Sequence, residues 1–260
     1  MPDTPLLVAD RGAVRVVTVN RPDKLNALDL ATLVALHAAF DAAADDDAIR
    51  VVVLTGAGAK AFVAGADIAA MADLSATRAR DFSLVGQRMM RRIERMPKPV
   101  LAMVNGFALG GGLELAMSCH LRIAADTARL GLPEVTLGLV PGFGGSQRLL
   151  RLAGRAAALE LCLLGKPVDA GRALALGLVN RVVAADALEA ETWALADALA
   201  AQAPLAVRGI LDAIAIGGDV PLDDALEYES AQFGLVFSTD DAREGMHAFL
   251  ERRKPLFHNR

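Results

Sequence analysis

An α/β fold with a helical carboxy-terminal end is predicted by this sequence, and three observations carry the prediction. Short apolar runs alternate with helix-patterned stretches from Val14 to about residue 125. One of them, Val51-Val52-Val53-Leu54, is apolar throughout, as strands buried on both faces of a parallel sheet tend to be. From Ser146 onward the pattern is mostly helical, and Pro204 reads as a hinge between an α/β body (1–203) and a helical end (204–260).

The elements follow in order. Val14 to Val19 is β-rich and stops at the turn cluster Asn20-Arg21-Pro22-Asp23. Asp29 is placed to cap a helix with apolar positions at Leu30, Leu33, Val34, Leu36 and Phe40, which ends in Asp45-Asp46-Asp47. The apolar strand at Val51 stops at Thr55-Gly56-Ala57-Gly58, and small residues then surround Gly65. A polar, Arg-rich helix covers Asp81 to Arg95, with Gly86 as a residue that does not help it. Pro97-Lys98-Pro99 ends that helix and starts a strand that runs to Val104 and into Gly110-Gly111-Gly112. An apolar helix follows, then a short strand at Leu121–Ala124, and Leu178 to Val183 is one further strand or extended edge.

Composition narrows the function classes. The chain of 260 residues is 54% hydrophobic and 22% charged, enough to bury a substantial core and unlike a disordered chain. A net charge of −4 gives no bulk case for nucleic acid. Cys119 and Cys162 lack metal-type spacing and read as reduced core residues. The start, MPDTPLLVADRG, has neither the basic region nor the apolar run of a signal peptide, and no long uncharged span is seen; the expectation is a soluble cytoplasmic protein.

Three constellations are candidates for chemistry. The first is Gly110-Gly111-Gly112 with Glu114. Glycines before a helix either permit tight packing or expose N–H donors to a ligand, and on their own the two readings are even. A lone carboxylate among small and apolar residues tips the balance toward function. The second is Ala64-Gly65-Ala66-Asp67, another set of exposed N–H groups, in which Asp67 reads as a helix cap rather than a catalyst. The third is Glu134, in an apolar, turn-rich run without an adjacent cation. An exposed loop acid is the bland reading, and a partner general acid or base to Glu114 the functional one. His37, His120, His247 and His258 have no metal spacing, Gly56-x-Gly58 lacks the rest of a dinucleotide fingerprint, and neither a Walker sequence nor a Gly-x-Ser-x-Gly elbow is present. Met89–Met90 reads as packing, and Arg91, Arg92 and Arg95 as a solvated face.

Together these motifs resemble the enoyl-CoA hydratase/isomerase (crotonase) superfamily over nearly the whole chain. The resemblance rests on Arg21-Pro22-x-x-x-Asn26-Ala27-Leu28, Lys60-Ala61-Phe62-x-Ala64-Gly65-Ala66-Asp67-Ile68 and Asn105-Gly106-x-Ala108-x-Gly110-Gly111-Gly112-x-Glu114-Leu115. It continues through Pro133-Glu134-x-x-x-Gly138, Pro141-Gly142-x-Gly144-Gly145-x-Gln147-Arg148-Leu149 and the tail Phe249-Leu250-Glu251-x-Arg253-Lys254-Pro255-x-Phe257. It implies a crotonase-like ββα spiral with a helical C-terminal region used in assembly as a homotrimer or dimer of trimers. It implies an oxyanion hole made by the N–H groups of Ala66 and Gly111, and Glu114 and Glu134 as the catalytic pair. Lys24, Leu25, Lys60, Ala64, Asp67, Ile68 and Gly142 then match positions at the substrate and coenzyme A site, and Lys254 and Phe257 positions that reach a neighbouring subunit's ligand. Phe107 stands where tyrosine is common and His120 where aspartate is common.

Both acids together favour hydration of a trans-2-enoyl-CoA to a 3-hydroxyacyl-CoA, with Glu114 as base and Glu134 as acid by resemblance. Neither metal nor redox cofactor is implied; coenzyme A is part of the substrate. The competing readings are a Δ3,Δ2-enoyl-CoA isomerase, which moves a proton without incorporating solvent oxygen, and a non-catalytic acyl-CoA- or RNA-binding family member. Met71 to Leu84 matches the family's variable part, where acyl-chain length is set.

Overall fold

A computed structural model describes residues 4–260, so the first three residues of the amino-terminal stretch lie outside it. The elements are β1 (Leu6–Arg11), β2 (Val14–Val19), α1 (Leu30–Asp45), β3 (Val51–Gly56), β4 (Ala61–Val63), α2 (Ile68–Met71) and α3 (Ala76–Glu94). Then come β5 (Val100–Val104), β6 (Phe107–Leu109), α4 (Gly111–Ser118), β7 (Leu121–Ala125), β8 (Arg129–Gly131), α5 (Gly145–Leu164), β9 (Val168–Asp169), α6 (Ala170–Ala175) and β10 (Arg181–Val183). The chain ends in α7 (Leu188–Ala200), α8 (Pro204–Gly217), α9 (Leu222–Phe237) and α10 (Asp240–Leu250), and two 3-10 turns lie at Pro22–Lys24 and Pro133–Leu137.

The strands form two sheets. The larger runs β1-β2-β3-β5-β7-β10, parallel except for the β1–β2 hairpin. The smaller runs β4-β6-β8-β9, parallel except for β9. Consecutive strands of one turn enter different sheets: β3 then β4, β5 then β6, β7 then β8. A helix or 3-10 turn follows each pair, so the chain advances as a ββα spiral. This corrects the expectation that the Pro99–Val104 strand runs straight into the glycine turn. The chain crosses sheets at Asn105-Gly106, and the three-residue β6 intervenes.

Register explains the uniform apolarity of β3. Val52 and Leu54 face the main core with Leu33, Leu36 and Phe40 of α1 and Met89, Met90 and Ile93 of α3. Val51 and Val53 face the other side, where Ala196, Trp193 and Leu199 of α7 cover the sheet. Each large side chain buried there contributes about 1.5–3 kcal/mol. Asp29 caps α1, its carboxylate accepting from the Thr32 amide at 2.8 Å. The Arg-rich helix begins at Ala76 rather than Asp81, because Ser75 caps it. Of the Leu178–Val183 stretch only Arg181–Val183 pairs as a strand, while Leu178 is buried in the core. Cys119 and Cys162 are free thiols, as expected. Among the described residues no single helix is long and apolar enough to cross a membrane.

α7 packs on the larger sheet, and the chain turns by 105° into α8 at the Pro204 break. Helices α8 to α10 carry exposed apolar side chains, including Ile210, Ile214, Leu222, Phe233, Phe237 and Phe249.

The tightest junction in the spiral is between α4 and β4. A Cβ on Gly112 would lie 1.8 Å from the Val63 carbonyl oxygen, a backbone atom that cannot rotate away. Gly112→Ala is therefore expected to cost about 3 kcal/mol or more, the upper end of overpacking costs. Urea unfolding followed by circular dichroism measures this; an unchanged midpoint contradicts the packing.

Candidate active site

The site lies where the smaller sheet ends. β4, β6 and β8 are parallel neighbours, so their carboxy-terminal ends lie side by side, as in other parallel sheets that bind ligands there. Ala66 follows the end of β4, Gly111 follows β6, and Glu134 follows β8. The Gly110 amide donates to the Gly131 carbonyl at 2.8 Å and ties the second loop to the third. Gly110 itself adopts φ 50, ψ −122, which turns the chain from strand to helix.

The first loop is fixed from two sides. Leu28 pairs with Ala66 as an isolated parallel bridge, its amide donating to the Gly65 carbonyl at 2.9 Å and its carbonyl accepting from the Asp67 amide at 2.8 Å. That pairing uses the flanking groups and turns the Ala66 amide the other way. The Ala66 nitrogen lies 3.5 Å from where a Cβ on Gly111 would sit. Neither the Ala66 nor the Gly111 amide finds an acceptor among the described residues. Two adjacent, unsatisfied N–H groups, one at the positive end of α4, form a ready receptor for a developing oxyanion.

Asn26 holds the loop's other flank. Fully buried, with φ 59, it accepts from the Arg21 amide at 3.0 Å and donates to the carbonyls of Ala57 and Ala61 at 3.0 and 2.9 Å. The cap expected at Asp67 is corrected: it stands before α2, yet its carboxylate makes no capping bond. It pairs instead with Lys24 at 3.0 Å and Arg21 at 2.8 Å. Those partners, Lys24 foremost, hold its carboxyl down to about 2. Lys24, Leu25, Ala64, Asp67 and Ile68 thus share one neighbourhood, with the Ala64 amide donating to Leu25 at 3.0 Å. Lys60, at the start of β4, is exposed beside it.

The two glutamates meet beside these donors. Glu114 is 1% exposed, and its Oε1 accepts from the amides of Phe143 at 2.8 Å and Gly145 at 2.6 Å. Glu134 Oε1 lies 3.0 Å from where a Cβ on Gly110 would sit, one helical turn from Glu114, and Glu134 Oε2 is buried without a hydrogen-bond partner. Burial pushes Glu114 up to about 7, with the Glu134 charge adding to the rise and the two amides opposing it. Burial also raises Glu134. Glu134 is half-buried, not the exposed loop acid of the bland reading, and its charge is felt at Glu114.

Contacts that sequence reasoning did not find hold this arrangement. Phe143 is buried, stacks edge-on against Phe82 at 5.2 Å, and lies on Gly111. It also explains Gly86, read above as a weakness of its helix: a Cβ there would lie 2.2 Å from the Phe143 ring. Gly142 is held from α3, its carbonyl accepting from Ser83 at 2.5 Å and Gln87 at 3.0 Å. Of the Arg91, Arg92 and Arg95 face, Arg92 pairs with Asp41 at 2.5 Å. His120 accepts from the Val100 amide at 2.9 Å and is kept neutral by burial, near 4. Among the described residues no group of three or more His, Cys, Asp or Glu is placed to hold a metal ion.

The tail is placed elsewhere. The Phe257 carbonyl accepts from Arg50 at 3.0 Å, just before the start of β3 in the larger sheet, whereas the site loops follow strands of the smaller one. Lys254 and Phe257 therefore do not join this chain's own constellation.

Comparisons with known proteins converge on one family. A family model described as enoyl-CoA hydratase/isomerase matches residues 10–260. A short-chain-enoyl-CoA hydratase of Clostridium acetobutylicum is 45% identical, the match covering 96% of this chain and 95% of the relative. A crotonyl-CoA hydratase of Syntrophomonas wolfei is 48% identical over 93% of each chain. The crystal structure of an enoyl-CoA hydratase from Bacillus anthracis superposes with a TM-score of 0.95 at 39% identity, covering 98% of this chain and all of that one.

The buried acid makes stability depend on pH. Because folding raises the carboxyl of Glu114 from 4.5 to about 7, its protonated form stabilises the fold below 4.5, and that contribution is lost as pH rises through 7. Relative to wild type, Glu114→Gln should therefore gain about 3 kcal/mol between acid and mildly alkaline pH. Urea unfolding of both proteins across that range measures it; parallel pH profiles would contradict the burial argument.

Proposed function

The chain belongs to the enoyl-CoA hydratase/isomerase family, and from that premise we propose that it catalyses reversible addition of water across the double bond of a trans-2-enoyl-CoA, giving a 3-hydroxyacyl-CoA. The observation that carries the proposal is the pair of facing carboxyl groups beside two free amide donors. An isomerase needs one group to carry a proton between carbons, whereas hydration needs a base for water and an acid for carbon.

The steps follow from these groups. The Ala66 and Gly111 amides donate to the thioester oxygen and draw electron density from C3. Glu114, as carboxylate, takes a proton from water while the water oxygen bonds to C3. The π electrons move toward the thioester, and negative charge collects on the oxygen held by the two amides. Glu134, as neutral acid, gives a proton to C2, and the carbonyl re-forms. The pair then holds one proton again, on Glu114, and its return to Glu134 resets the site. Glu114 suits the anionic role because two N–H groups support its charge. Glu134 suits the acid role because its buried Oε2 has no donor to support an anion. Charge grows on the thioester oxygen only as reaction proceeds, so the amides favour the transition state over bound substrate. One such donor contributes about 3–4 kcal/mol.

The proposal extends to the rest of the ligand and to assembly. Lys24, Lys60, Ala64 and Ile68 line the approach for the coenzyme A moiety, and Lys24 gives up Asp67 for phosphate. Coenzyme A enters only as part of the substrate, and each proton and bond is accounted for by the two glutamates, water and the thioester. The exposed apolar faces of α8 to α10 support a homotrimer or dimer of trimers, in which Lys254 and Phe257 serve a neighbouring subunit. The names of the two relatives favour a short acyl chain, and the free thiols agree with a cytoplasmic location.

Crotonyl-CoA should lose its enoyl-thioester absorbance with this protein and gain one heavy oxygen in labelled water, as mass spectrometry reads. Glu114→Gln and Glu134→Gln should each lower kcat by about 10²–10⁴-fold. Full activity in both variants, or a product without solvent oxygen, would overturn the two-acid hydration.

A further inference from the structure

Helix α5 carries an arginine that the steps above do not use. The Arg148 side chain is mostly buried and grips Glu94, the last residue of α3, with Nε on Oε1 at 2.5 Å and Nη2 on Oε2 at 3.1 Å. Its Nη1 donates to the Phe143 carbonyl at 2.5 Å. The amide of that same residue, with that of Gly145, donates to Glu114 Oε1. The guanidinium therefore braces the turn that holds the carboxylate. A planar fork bound to both oxygens of a carboxylate fixes direction as well as distance, which a lysine ammonium does not.

We propose that Arg148 is a positioning residue for the hydration: anchored by Glu94, it sets the Phe143–Gly145 turn so that two amides aim at one oxygen of Glu114, leaving the other for water. The turn has a second support from α3, through Ser83 and Gln87 on Gly142 and through Phe143 packed on Gly86. Arg148 joins the two helices behind it. The charged and titratable groups facing Glu114 are Glu134 from the 3-10 turn and Arg148 and Cys162 from α5. Arg148 favours the ionised form of Glu114, and Glu134 opposes it.

The proposal rests on the hydratase reading, and its test separates the two. Arg148→Gln, Arg148→Lys and Glu94→Gln are compared with wild type on crotonyl-CoA. Arg148→Gln should lower kcat by about 10–10²-fold, the scale of a small misplacement of a reacting group. KM should stay within about threefold, since no substrate contact is lost. The ascending limb of the kcat–pH profile should move to higher pH, because both the positive charge and the aimed amides are weakened. Arg148→Lys, which keeps the charge, should lower kcat with a smaller shift of that limb. Glu94→Gln should lower kcat less and carries the test if Arg148→Gln does not fold. A lower Tm with unchanged kcat and pH limb in folded variants would overturn the proposal. Independently of turnover, a double-mutant cycle of Arg148→Gln and Glu114→Gln in urea unfolding at pH above 7 should show coupling, because the two side chains share one turn. Strict additivity contradicts the bracing, and with it the proposal, even if the chain hydrates enoyl thioesters; coupling in a chain that hydrates no enoyl thioester upholds the bracing and places the failure in the hydratase reading.

Discussion

The site depends on one interaction: the bond pair from the Phe143 and Gly145 amides to a single oxygen of Glu114. A carboxylate 1% exposed on an apolar helix is costly, and without donors it would stay neutral. Two backbone amides oppose burial without supplying a counter-charge that would silence the acid. The balance leaves Glu114 at about 7, where a base and its conjugate acid are both accessible.

Much of the surrounding structure serves that turn. α3 holds it through Gly86, Ser83 and Gln87, and α5 through Arg148. The smaller sheet aligns three loop ends, so that Ala66, Gly111 and Glu134 converge although they are far apart in sequence. The larger sheet supplies the rigid core between α1, α3 and α7 that fixes those loop ends. The burial that raises the Glu114 carboxyl also makes its ionisation unfavourable to the fold.

The sequence was informative where a residue type has one physical use. Val14–Val19 and Val51–Leu54 were legible as strands, Asp29 as a cap, and Glu114 as a costly acid among apolar neighbours. It was silent where meaning depends on a distant partner. β6 is only three residues long, so the crossing at Asn105-Gly106 leaves no periodic signal. Gly86 looked like a flaw because Phe143, which needs the space, lies in another element. Asp67 looked like a cap because Lys24 and Arg21 come from a separate loop. The tail's course follows from Asp241, a buried acid that accepts from the His258 and Asn259 amides, a pairing no motif encodes. The assignment of the pair to hydration came from resemblance, since spacing alone leaves two acids interchangeable.

The central claim is that Glu114 sits in the folded protein as a buried, amide-held acid poised near neutrality. Carbon-13 NMR of selectively labelled glutamate, with Glu114→Gln to assign the signal, tests it directly. The account predicts a carboxyl carbon whose titration is centred near 7 and moves downward when Glu134 is replaced by glutamine. A Glu114 carboxyl that ionises at the ordinary value of 4.5, unaffected by Glu134, would contradict it.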